Sequence, residues 1–186
     1  MRMRMWMSAV AIVGLSVALL GCPPTPPEPQ EPTAEILALE VEAFNLINQQ
    51  RTTNGLNALV MNESMREVAR AHSQDMDARN FFDHVNPDGD DPFDRMADAG
   101  IAFSSAAENI AANQGFADPA QTAADSWFNS SGHLANIMTA DFTETGMGVA
   151  KSNSNEFFFT QIFMTPAKDG VEPTVVYGEP IAVYAE

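Results

Sequence analysis

Two of the chain's three histidines sit in short stretches whose neighbours suit an imidazole. His84 closes Phe81-Phe82-Asp83-His84, and His133 closes Ser130-Ser131-Gly132-His133. Between them, Glu108 is the one acidic residue of the mostly apolar run from Ala106 to Ala112. A carboxylate in such a run is costly to bury unless a donor or a cation pairs with it. His84 and His133 are its natural partners.

Two kinds of chemistry fit this trio. In the first, an imidazole N–H donates to Glu108, both buried groups are satisfied, and the cluster fixes loops over a sheet. In the second, His84, His133 and Glu108 form a first shell for zinc and leave one position for water. Such a water, activated by Glu108, attacks an ester or an amide. The three residues are 24 and 25 positions apart, which is no short metal-binding spacing, so the structural reading stands ahead. A serine nucleophile at Ser130 or Ser131 has little support. One glycine separates Ser131 from His133, and no G-x-S-x-G elbow exists. These serines read as a turn that positions His133. Asn109, Ser130, Ser131 and Gln161 are expected to line the same cleft.

Other polar residues read as structural. His72 lies on the apolar stripe of a helix and is expected to be a neutral core histidine. The loop Asn86 to Asp94 holds four aspartates. It lacks the closing glutamate of an EF-hand and reads as a solvated acidic loop. Trp127 reads as core.

Helices and strands must position these groups. Ala34 to Thr52 reads as a helix, with Leu37, Val41, Phe44 and Ile47 as its apolar stripe. Asn62 caps a second helix reaching about Arg79, with Met65, Val68, Ala69, His72 and Met76 inward. Asp91-Pro92 and Asp118-Pro119 open two more, and His133 to Met138 forms a further turn. Ala106 to Ala112 reads as the strand that carries Glu108. Gly146 to Ser152 and Glu156 to Met164 read as a hairpin turning at Asn153 to Asn155. In its second arm, Phe157, Phe159 and Phe163 point one way; Phe158, Ile162 and Met164 point the other. A strand apolar on both faces needs helices above and below. The expected fold is therefore α/β, a three-layer α/β/α sandwich with a small, mainly antiparallel central sheet. The tail from Pro166 to Glu186 reads as an extra hairpin.

The order of motifs carries a resemblance. Phe81-Phe82-Asp83-His84, Ala107-Glu108-Asn109-Ile110-Ala111, the run Trp127 to Ile137, Gly146-Met147-Gly148-Val149-Ala150 and Phe157 to Phe163 resemble the CAP superfamily. That superfamily groups cysteine-rich secretory proteins, antigen 5 and pathogenesis-related 1 proteins. The chain is similar to its compact bacterial SCP-like form over roughly Leu37 to Met164. The resemblance implies the same three-layer sandwich and a cleft built of two histidines and two acidic residues. His84 and Glu108 match one of each. The second acidic position falls on Ser130 and the second histidine on Phe158, so the full tetrad is missing; His133 is expected to line the cleft instead. Family members bind sterols, lipids or proteins, and a few are proposed proteases, so the resemblance alone does not decide the activity.

The ends of the chain suggest where it works. Arg2 and Arg4 precede an apolar stretch from Met5 to Leu20, the pattern of a secretory signal. Leu19-Leu20-Gly21-Cys22 resembles a bacterial lipobox, which implies thioether lipidation of Cys22 and cleavage before it. Cys22 is the single cysteine of the chain, so no disulfide is expected. Residues 23 to 32 are proline-rich and read as an extended tether, roughly 3.1 Å per residue. The division expected is a signal over 1–21, lipidated Cys22 and tether over 22–33, the domain over 34–165 and an extension over 166–186.

The net charge is −16. Loss of the signal leaves about −18, which argues against nucleic acid or anionic lipid headgroups as partners. The whole reads as a lipid-anchored extracytoplasmic module of the bacterial envelope, at the outer membrane or cell surface. It is expected to bind a small ligand or a protein without turnover. The alternatives are a zinc-dependent hydrolase using His84, Glu108 and His133, and a structural surface lipoprotein.

Overall fold

A computed structural model describes residues 28–167, 174–177 and 179–184. The signal stretch, Cys22 and the first part of the tether lie outside the described residues. Among the described residues no helix is long and apolar enough to cross a membrane.

The chain runs α1 (Ala34–Thr53), β1 (Val60–Met61), α2 (Glu63–Arg79), α3 (Pro92–Asp98), β2 (Phe103–Gln114), α4 (Pro119–Phe128), α5 (Ser131–Ile137), β3 (Glu144–Lys151), β4 (Glu156–Pro166), β5 (Thr174–Tyr177) and β6 (Ile181–Tyr184). Local chemistry sets the helix starts. Asn62 accepts from Met65 N, Asp118 accepts from Gln121 N, and Asp91 forms a capping box with Asp94. Asn80 ends α2 in the left-handed region at φ 53°.

The strands form one sheet in the order β1-β3-β4-β2-β5, with β6 also on β2. The central pairs β2·β4 and β3·β4 are antiparallel, but β1·β3, β2·β5 and β2·β6 are parallel. The sheet is thus mixed, with the parallel pairings at its margins. The tail does not form a hairpin. β5 and β6 do not pair with each other; each lies parallel to a different half of β2.

Helices cover both faces, as the two-sided β4 requires. Phe157, Phe159 and Phe163 pack with Ala43 and Ile47 of α1, Trp127 of α4 and Ile137 of α5. On the other face Ile162 and Met164 pack with Met65 and Ala69 of α2 and Met96 of α3, and Phe158 packs with Met76 and Ile110. The layers are α1/α4/α5, sheet, α2/α3. Gly146 and Gly148 let α2 lie close on β3. A Cβ at Gly148 would fall 2.0 Å from Arg70 N, and one at Gly146 2.3 Å from Met65 C.

The inward face of α1 is not the apolar stripe that its sequence suggests. Ile36, Glu40, Ala43, Ile47 and Arg51 are buried, while Leu37 and Val41 are exposed. Two charged residues on the inner face explain the rotation. Glu40 accepts from Arg66 Nε at 2.7 Å, from Arg70 Nε at 2.7 Å and from the Val149 N–H at 3.2 Å. It closes the β3 edge beyond the two-residue β1 and ties both helical layers across it. Arg51 donates to the main-chain oxygens of Asn57, Ile137, Thr139 and Phe142. The bonds to Ile137 and Thr139 satisfy carbonyls at the end of α5.

The residues just ahead of α1 are held against the domain. The Gln30 N–H donates to Gln74 Oε1 at 3.0 Å, and Gln74 Nε2 donates back to Gln30 O at 2.8 Å. The end of the proline-rich stretch is thus docked on α2 at Gln74.

Candidate functional site

Glu108 lies in the middle of β2, opposite Ile162 of β4, and is fully buried on the α2/α3 face. His84 reaches it from the loop after α2. His84 Nδ1 stands 2.7 Å from Glu108 Oε1. Burial opposes the charge on Glu108, but Arg95 and the His84 hydrogen bond outweigh it and hold the carboxyl below its usual range. An ionised carboxylate only accepts, so His84 Nδ1 carries the proton and donates.

The other carboxylate oxygen has a partner that sequence reasoning missed. Arg95 of α3 donates from Nη2 to Glu108 Oε2 at 2.9 Å. From Nη1 it also donates to the main-chain oxygens of His84 at 2.9 Å and Asp90 at 3.0 Å. One guanidinium therefore fixes the carboxylate, the backbone of its imidazole partner and the loop between them. The capping box at Asp91 sets where α3 begins and so where Arg95 points. A signal for it existed: Arg95 is the single Lys or Arg between His84 and Glu108, and a buried carboxylate calls for a cation.

His133 stands apart from this pair. It lies on α5, on the opposite helical layer, and is fully buried. Its Nδ1 is 2.8 Å from Ser130 Oγ, and its Nε2 has no hydrogen-bond partner among the described residues. Burial, and then the charge of His84, push its pKa down to about 4. Asn109 points to that same layer. Its Nδ2 donates to His133 O at 3.2 Å, and its Oδ1 accepts from Asn136 Nδ2 at 2.9 Å. Gln161 pairs in register with Asn109, so it too faces α5 rather than Glu108, and it donates to Thr145 Oγ1. Ser131 is exposed in the first turn of α5. The cleft expected from sequence is thus split: His84 and Glu108 meet on one side of β2, while Asn109, Ser130, His133 and Gln161 belong to the other.

His72 is a core residue below the pair. Its Nε2 donates to Asp83 O at 3.0 Å, its ring packs edge-on against Phe81, and burial lowers its pKa to about 4. It supports the turn that carries His84.

Among the described residues no group of three or more His, Cys, Asp and Glu side chains is placed to hold a metal ion. Within this cluster His84 and Glu108 meet on one side of β2 while His133 lies on the other, so the donor set proposed for zinc does not converge. A serine triad is not assembled either, because Glu108 holds His84 whereas Ser130 meets His133.

The sequence pattern of the cysteine-rich secretory protein (CAP) family matches residues 44–163. The chain belongs to the CAP family. It is similar to YkwD of Bacillus subtilis, with 37% identity over 131 residues, 70% of this chain and 49% of that protein. The membrane protein YlbC of the same organism is 34% identical over 125 residues, 67% of this chain and 34% of that one. The CAP chain therefore spans half or less of the length of these relatives. Among solved structures, an extracellular SCP-domain protein from Bacillus anthracis superposes with a TM-score of 0.63 at 30% identity, covering 73% of this chain and 44% of that one. An outer surface protein from Borrelia burgdorferi shares the fold, with a TM-score of 0.63 at 19% identity over 70% and 94% of the two chains. The CAP match takes in β2, β3 and nearly all of β4, and stops before β5 and β6.

Proposed function

We propose that this CAP chain is an extracytoplasmic binding module, tethered through an acylated Cys22, that recognises a small ligand or a protein without turning it over. One observation carries the reading against hydrolysis. Glu108 is wholly buried with one oxygen on His84 and the other on Arg95. A general base needs a lone pair within reach of the proton it takes, and this carboxylate is wholly buried with a protein donor on each oxygen. Its chemistry is positional: it fixes the His84 ring and the loop from His84 to Asp90 as a rigid surface.

Location rests on two supports. The leading residues have the form of a lipoprotein signal, and the B. anthracis and B. burgdorferi proteins are described as extracellular and outer surface proteins.

Two experiments test the proposal. Palmitate labelling of the full chain in a bacterial host is expected to mark the wild type and not Cys22→Ala, with the variant released in soluble form. Label on Cys22→Ala, or none on the wild type, overturns the anchor. For the site, a panel of peptides, sterols and acyl lipids is screened by thermal shift, alongside ester and peptide hydrolysis. A saturable stabilising ligand lost in His84→Ala, with no turnover, is the expected result. Hydrolysis abolished in a folded His84→Ala protein contradicts it.

A further inference from the structure

The outer edge of β2 is covered in an unusual way. A single twelve-residue strand is flanked by two four-residue strands laid end to end. Thr174 to Tyr177 pair with Ser105 to Glu108, and Ile181 to Tyr184 pair with Ala111 to Gln114. Between the two strands stands Pro180, which has no N–H to offer a ladder. Beside that break two helix side chains also reach β2 carbonyls. Trp127 Nε1 donates to Ile110 O at 3.1 Å, and Asn136 Nδ2 reaches Glu108 O at 3.5 Å. The carbonyls of Glu108 and Ile110 therefore face outward, and by alternation so do the N–H groups of Ala106, Glu108 and Ala112.

The covering segment is lightly held. Val176 is 47% exposed and Tyr184 55%, although both are apolar enough to be core residues. Among the described residues, Tyr184 OH ties β6 to Glu156 Oε1 at 2.7 Å, an exposed bond. Short strands with exposed side chains have low local stability, while the backbone groups beneath them need a partner whenever they are uncovered. Both strands also lie outside the region matched by the family pattern.

We infer that the outer edge of β2 is a strand-docking surface whose occupant is the chain's own C-terminal segment, seated parallel to β2 through residues 174–177 and 181–184 and released by local opening. Main-chain bonds give the affinity. Release of the segment bares the strand that carries Glu108. The inference stands independently of what the His84–Glu108 side binds.

Hydrogen exchange on the full chain is the first test. The Ala106, Glu108 and Ala112 amides are expected to exchange on the order of 100-fold faster than the β4-facing amides of Ala107, Asn109 and Ala111, as local opening does relative to global unfolding. Equal protection of the two sets overturns the inference. The second test uses a full-length Val176→Pro/Val183→Pro variant and a labelled synthetic peptide of residues 172–186. The variant is expected to bind the peptide saturably, at least about tenfold tighter than the wild type, whose own segment competes. A variant with intact β3–β4 protection that takes up no peptide contradicts the proposal. A wild-type dimer that the variant fails to form supports it, since a second copy's segment then fills the edge. Val176→Pro alone serves if the double variant does not fold.

Discussion

Arg95 binds Glu108 with one guanidinium nitrogen and the backbone of His84 with the other, at 2.9 Å each. The side chain that neutralises the buried carboxylate therefore also places the imidazole the carboxylate holds. Arg95→Met should leave the charge of Glu108 unpaired and free the loop after α2. Removing one partner of a buried pair costs about 3–5 kcal/mol. Urea unfolding of Arg95→Met, Glu108→Gln and the double variant measures the coupling. The double variant is expected to recover part of the loss; additive losses contradict a direct pair.

Gly148 is expected to tolerate no side chain. A Cβ there meets the backbone of α2 at Ala69 and Arg70, which cannot move aside as a flexible side chain does. Gly148→Ala should cost about 1–3 kcal/mol or more by overpacking. Gly132, with nothing within 4 Å of an added Cβ, is the control, and Gly132→Ala should leave the denaturation midpoint nearly unchanged.

Acid should weaken the fold from just below neutrality. His72 and His133 have folded pKa values of about 4 against an ordinary 6.5, so between those values the unfolded chain binds more protons. Stability then rises with pH across that window, by about 1.4 kcal/mol per pH unit for each histidine. Glu108, whose pKa is lowered, adds to the loss below about 4.5. Urea midpoints at pH 7.5, 6 and 5 are expected to fall steadily, with a shallower fall in His133→Asn. A flat profile from 7.5 to 5 contradicts neutral burial of both rings.

How far the fold could be read from sequence followed how local its causes are. The starts of α2, α3 and α4 were legible because Asn62, Asp91-Pro92 and Asp118-Pro119 act within one turn. β4 was legible because its two apolar faces demand two layers. The face of α1 was not, because Glu40 and Arg51 are buried by partners far along the chain, and an apolar stripe alone points to Leu37 and Val41. β1 is too short to show a period, and pairing of β5 and β6 with β2 depends on an edge no local pattern reveals. At the site, the His84–Glu108 contact followed from the need to satisfy a buried carboxylate. Arg95 escaped because one charged residue on a short helix reads as surface. The placement of His133 depends on which side of β2 carries α5, which motif order does not encode.

The central claim is that Glu108 spends both oxygens on His84 and Arg95 and positions rather than reacts. Zinc calorimetry on residues 33–186, wild type beside His84→Ala, tests it most directly. No saturable one-to-one uptake that depends on His84 is the result expected from a closed cluster. One-to-one zinc binding, lost in a folded His84→Ala protein, would contradict the account and return His84, Glu108 and His133 to the role of metal ligands.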